Sequence, residues 1–187
     1  MNIPSRTAIR DFEAYILLTM KLRMSMANKM TQLEAKLAEH GLSLGDAEIL
    51  HDRIAEALRD EASRFEQMQK LLGITESGSV SLKYDSVFWP GFSFHAMVGK
   101  AGLLESAGYL HATASRPEVG SPTELPTWSV DISEFAEQFG PIALRDKQPL
   151  FDEFLPAYEE YEFSWNGEPY GARFIWGLFL SSSIYWD

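Results

Sequence analysis

Residues 5–39 contain neither proline nor glycine, and a stretch of that length without a breaker commits the start of the chain to helix. Ser5 stands where an N-cap belongs, and Ile9, Phe12, Ile16, Met26, Met30, Leu33 and Leu37 recur at three- and four-residue spacings, the pattern of an amphipathic helix. Gly41 occupies a C′-like position, and residues 43–46 offer caps for a second helix over 46–72, with Leu50, Ile54, Leu58, Phe65, Met68 and Leu72 on one stripe and Gly73 closing it. The short connection makes the two antiparallel neighbours. An unbroken first helix of about 34 residues would reach roughly 50 Å, beyond the ~40 Å diameter of a compact chain of this size. Either it breaks near residues 25–28, or its methionine-rich tip (Met20, Met24, Met26, Met30) overhangs and is covered by a second copy or a partner.

After Thr75 the chain changes to glycine, serine, proline and aromatics. Residues 79–84 alternate, Pro90-Gly91 marks a turn, and 92–98 is a second apolar run, which together predict a hairpin. Residues 100–107 read as a short helix, 109–114 as a strand, and the proline-rich segment 116–126 as a loop. Residues 131–139 read as a helix capped by Asp131 or Ser133 and ended by Gly140-Pro141. Tyr161, Phe163 and Trp165 alternate with Glu162 and Ser164 ahead of Asn166-Gly167, the favoured pair for a tight hairpin. Residues 174–180 form a nearly continuous apolar run, expected of one central strand buried on both faces. The last residues, 184–186, are apolar enough to dock. The expected fold is α+β: a long antiparallel helical hairpin (1–74) packed against a mainly antiparallel β-sheet with one or two short helices (75–187), in a single domain.

With 45% hydrophobic residues the chain has the apolar surface to fold. It has no cysteine, which excludes disulfides, thiolate metal sites and a cysteine nucleophile. Charges at Arg6, Arg10, Asp11, Glu13, Lys21 and Arg23 interrupt any signal-peptide core, and no apolar run approaches the ~18 residues of a membrane span. A cytoplasmic location is expected.

Catalytic patterns are weak. The four histidines, His40, His51, His95 and His111, show no metal-ligand spacing. Gly99-Lys100-Ala101-Gly102 lacks the residues that complete a phosphate-binding loop. Gly91-Phe92-Ser93-Phe94-His95 carries a bulky residue where a nucleophile elbow needs a small one, although His111 and Asp131 downstream allow a triad to be drawn. No catalytic residue, metal or cofactor is assigned on these grounds.

The charge is more informative. The net charge is −11, and twelve acids against Arg145 and Lys147 fall between Glu118 and Glu168. Such a field repels nucleic acid and anionic membranes and attracts basic protein surfaces. Within it Asp152, Glu153, Tyr158, Glu159, Glu160, Tyr161, Glu162 and Trp165 interleave acids with aromatics, as an interface does when aromatic anchors are rimmed by steering carboxylates. A strand with acids facing water and aromatics facing the core would give the same pattern. In size, acidity and missing catalytic motifs the profile resembles the small cytosolic immunity proteins that neutralise bacterial toxins, many of them nucleases. The resemblance implies a non-enzymatic inhibitor of a toxin or nuclease; the acidic, aromatic segment puts the contact that blocks a basic site on those eight residues, and the overhanging hairpin leaves a homodimer as a further option. Two other readings remain open: a small hydrolase with a pocket between hairpin and sheet, and a phage or plasmid antagonist that mimics nucleic acid.

Overall fold

The computed structural model describes residues 3–113, 115–148 and 157–185. The protein is α+β, with N-terminal helices followed by two antiparallel sheets of three and four strands. By their internal contacts the residues form two compact units, 1–107 and 108–187.

In the first unit the breaker-free stretch is three helices, α1 (Arg6–Thr19), α2 (Lys21–Met26) and α3 (Met30–Glu39). Ser5 caps α1 by accepting from the Ala8 N–H. The break after α2 is built on Asn28, whose φ of 57° places it in the left-handed region where glycine usually ends a helix, while Lys29 N–H bonds back to Met24 O. The chain therefore turns back instead of overhanging, and Met20 and Met24 are fully buried. The second stripe is also divided, into α4 (Leu44–Ala57) and α5 (Arg64–Leu71), and α1 packs on α4. A capping box of Ser43 and Asp46 starts α4. At its far end the buried Arg64 donates from Nε to Leu58 O, so an arginine from the next helix satisfies a terminal carbonyl and fixes the break.

The three-stranded sheet has the order β1 (Ser81–Asp85), β2 (Phe92–Val98), β3 (Leu104–His111). Leu82 and Tyr84 of β1 face inward, and Phe12 of α1 meets Tyr84 and Phe94 edge-on at 6.3 and 5.7 Å, which seats the helices on this sheet. Residues 100–107 are not a helix. Gly99 N–H bonds to Leu103 O, Gly102 takes φ 76°, and the chain returns as β3. Strand pairing overrides the helical preference of this short segment.

Glu13, fully buried on α1, accepts from Ser86 Oγ at 2.6 Å and from the Val87 and Phe88 N–H groups at 2.9 and 2.7 Å. One carboxylate thus ties the first helix to the loop between β1 and β2.

The second unit holds α6 (Ile132–Phe139) and the sheet β4 (Ala143–Gln148), β5 (Tyr158–Trp165), β6 (Glu168–Ile175), β7 (Leu178–Ile184), in that order. Asp131 and Glu134 form the capping box of α6. Phe135 lies at the centre of the core, within 5.2–5.5 Å of the Phe163, Phe174 and Phe179 rings. Asn166-Gly167 makes the expected hairpin. The apolar run 174–180, by contrast, is not one strand: Trp176 and Gly177, with φ of 51° and 80°, form a second tight turn that pairs Ile175 with Leu178.

Candidate protein-binding surface on the second sheet

The alternation of β5 sorts the expected residues onto two faces. Tyr161, Phe163 and Trp165 lie on the face covered by α6, Phe163 in the core and the other two packed beside it. Glu159 shares that face, 3.3 Å from Lys147 Nζ and accepting from the Tyr161 hydroxyl at 3.1 Å. Burial, with the Glu159 charge and its hydrogen bond, pushes the Tyr161 phenol up to about 12. Tyr158, Glu160 and Glu162 project to the opposite face. Tyr158 is only 2% exposed, so its ring is interior, while its hydroxyl donates to Glu160 at 3.0 Å. Asp152 and Glu153 lie outside the described residues. The aromatics and the acids of β5 therefore form no single mixed surface.

Tyr185, at the end of β7, supplies the aromatic of the open face. Its ring settles over Gly171, where a Cβ would come within 2.5 Å of the ring, and its hydroxyl donates to Glu160. Arg145 lies over the ring at 4.2 Å from its centre. Burial and the Glu160 hydrogen bond raise the Tyr185 phenol above its ordinary value. Glu160 also faces Arg173, with Nε at 4.0 Å. Tyr185 was not singled out in the sequence because its role depends on a glycine on another strand.

Glu162 stands apart. It is exposed and makes no ion pair among the described residues. Beside it opens a groove of about 550 Å³, lined by Pro141, Ile142, Ala143, Glu162, Phe163, Ser164, Gly167, Pro169 and Tyr185. The groove exists because the neighbours of Glu162 are small: Ala143 faces it on β4, Gly171 on β6, and Ser164 and Pro169 form the next pair.

The whole unit is acidic. Residues 108–187 carry 13 acids and 4 bases, whereas 1–107 carry 14 and 12. All four bases are engaged: Arg116 with Glu137 at 3.0 Å, Lys147 with Glu159, Arg173 with Glu160, and Arg145 over Tyr185. Glu118 and Glu168 are exposed, like Glu162.

The catalytic sketches resolve into structure. Ser93 lies inside β2, 2% exposed and donating to Asp85 at 2.8 Å, so it is no nucleophile elbow. His40 stacks on Phe88 and His51 on Tyr15. His95 pairs across the strands with Lys83. His111 does meet a carboxylate, with Nδ1 2.6 Å from Glu134, but Nε2 is 3.2 Å from the Thr113 hydroxyl and the residue's own N–H bonds Asp131. With both ring nitrogens held, this cluster clamps the end of β3 to the start of α6. Among the described residues no group of three histidine, cysteine or carboxylate side chains is placed to hold a metal ion, and no helix is long and apolar enough to cross a membrane. Compared with protein-family models, curated proteins and solved structures, the chain matches none significantly.

Proposed function

We propose that this protein is a cytoplasmic, non-enzymatic antagonist of a basic protein, an immunity protein that neutralises a toxin of the nuclease kind by covering its basic site. The observation that carries this reading is the charge of residues 108–187, where 13 acids against four engaged bases leave a net −9. A field of that size accelerates encounter with a basic partner by about 10–10³-fold at low salt. The surface that would dock is the open face of the second sheet, with Glu162 and Tyr185 at its centre and Glu168 beside the hairpin turn. Glu159, Glu160 and Tyr161 support it from within, and Tyr158 and Phe163 anchor the sheet.

The test is affinity capture from the native lysate at low and high salt, with wild type beside a Glu118→Lys, Glu162→Lys, Glu168→Lys triple variant. The expected result is a stoichiometric basic partner, weakened by salt and lost with the variant. Recovery of the protein alone at both salts, or a partner retained equally by the variant, overturns the proposal.

A further inference from the structure

We infer that the groove beside Glu162 receives an arginine side chain of the partner protein, an assignment that rests on the antagonist reading above and names the contact at its centre. Three features of the groove point to arginine. Its apolar lining includes Pro141, Pro169 and the Tyr185 ring, which suits a long aliphatic stem ending in a planar group. Its charged lining residue is Glu162, whose carboxylate has no counter-ion among the described residues and can accept a guanidinium through two parallel hydrogen bonds. Ser164, one pair further along the sheet, adds a hydroxyl acceptor.

The neighbouring strands keep the groove open. Tyr185 is positioned by Gly171, Glu160 and Arg145, so this wall is formed without a bound partner. Arg145 stacks on Tyr185 and is not among the groove's lining residues. Gly167 sits on the rim in a tight turn with φ 79°, where no side chain intrudes. Glu168, exposed next to it, adds negative charge at the mouth.

The test is an amide NMR titration of the full chain with N-acetyl-arginine N-methylamide, with the citrulline analogue as its neutral isostere and free L-arginine as a third probe. The arginine derivative is expected to shift the Glu162, Ser164 and Gly167 amides saturably, with citrulline at least fivefold weaker. Glu162→Gln should weaken the arginine derivative at least fivefold. Ser164→Trp, which fills the groove without altering a charge, should abolish its effect, with the remaining spectrum of each variant unchanged. Equal binding of citrulline, shifts spread without saturation over the Glu118 and Glu168 surfaces, or an unaffected Glu162→Gln would overturn the assignment. Tighter binding of free L-arginine than of the blocked derivative would mark a metabolite site and overturn it equally. A captured partner that Glu162→Gln retains in full refutes the groove and leaves the antagonist reading standing; saturable arginine binding without any captured partner does the reverse.

Discussion

Glu13 gives the sharpest test of how the first unit is held together. Its Oε2 accepts both the Val87 and Phe88 N–H groups, and its Oε1 accepts the Ser86 hydroxyl, with the Glu13 side chain itself fully buried. Hydrogen bonds to a charged acceptor contribute about 1.5–3 kcal/mol each, and a buried amide left without a partner loses about 1–3 kcal/mol. Glu13→Ala leaves those two amides without this acceptor and opens a void, so the expected loss is about 4 kcal/mol, a large share of the ~5–15 kcal/mol that stabilises a typical domain. Glu13→Gln keeps an oxygen for the two amides, and its NH2 can donate to Ser86 Oγ; the expected loss is about 1 kcal/mol. Trp89 is the one tryptophan in residues 1–107 and follows the clamped loop directly, so its resonance in fluorotryptophan-labelled protein reads this unit during urea unfolding. With a slope near 2 kcal/mol/M, the Ala variant should lower the midpoint by about 2 M and the Gln variant by about 0.5 M. An Ala midpoint within 0.5 M of wild type, on the order of 1 kcal/mol, or equal losses for the two variants, would refute the clamp.

Three further outcomes are expected. Gly177→Ala should destabilise the second unit by about 3 kcal/mol in urea unfolding, because the new methyl would lie 2.8 Å from Tyr109 O at a φ of 80°. His95 should titrate below the ordinary histidine range by NMR, since burial and then the Lys83 charge disfavour its protonated form. Its unfolded form then binds more protons, so its contribution to stability falls as the pH drops through and below about 6.5, and Lys83→Gln should raise its midpoint. Tyr161 should resist ionisation to about pH 12 in ultraviolet titration. The fold favours its neutral ring, so the associated stability is intact below about pH 10, is lost as the pH rises through the folded value, and shrinks in Glu159→Gln.

What the sequence revealed depended on whether a local signal carried the structure. Ser5, the Ser43 and Asp131 caps, and Asn166-Gly167 act within a few residues of themselves, and each appears where its local chemistry places it. Trp176-Gly177 adopts the same turn as Asn166-Gly167 but is unreadable from sequence. The left-handed tryptophan costs about 1–2 kcal/mol, and non-local contacts hold it: its N–H bonds Ala157 O, and its carbonyl accepts from Tyr109. The division between α4 and α5 depends in the same way on the buried Arg64, and β3 on pairing with β2. For the candidate surface, alternation along β5 predicts two faces but not which one α6 covers. Phe135 decides that, sending Phe163 inward with Tyr161 and Trp165 beside it, and leaving Glu160 and Glu162 on the open side.

The charges and the packing of the second unit bear on function together. Net charge of one sign opposes compaction, and the bases present are placed against acids that the strands bring close. Arg173 faces Glu160, which is paired across the ladder with Asp146, and Lys147 meets Glu159 beside the core. Glu162 and Glu168 receive no such relief, and neither completes a cap or a buried hydrogen bond in the described fold. The residues around Glu162 also forgo contact that larger side chains would make, since Ala143, Ser164 and Gly167 leave the sheet surface hollow beside the Tyr185 ring. Unrelieved charge opposes the stability of the isolated unit, and here it coincides with a hollow at one end of one sheet. A basic side chain entering that groove, as proposed above, would offset the charge and fill the hollow together.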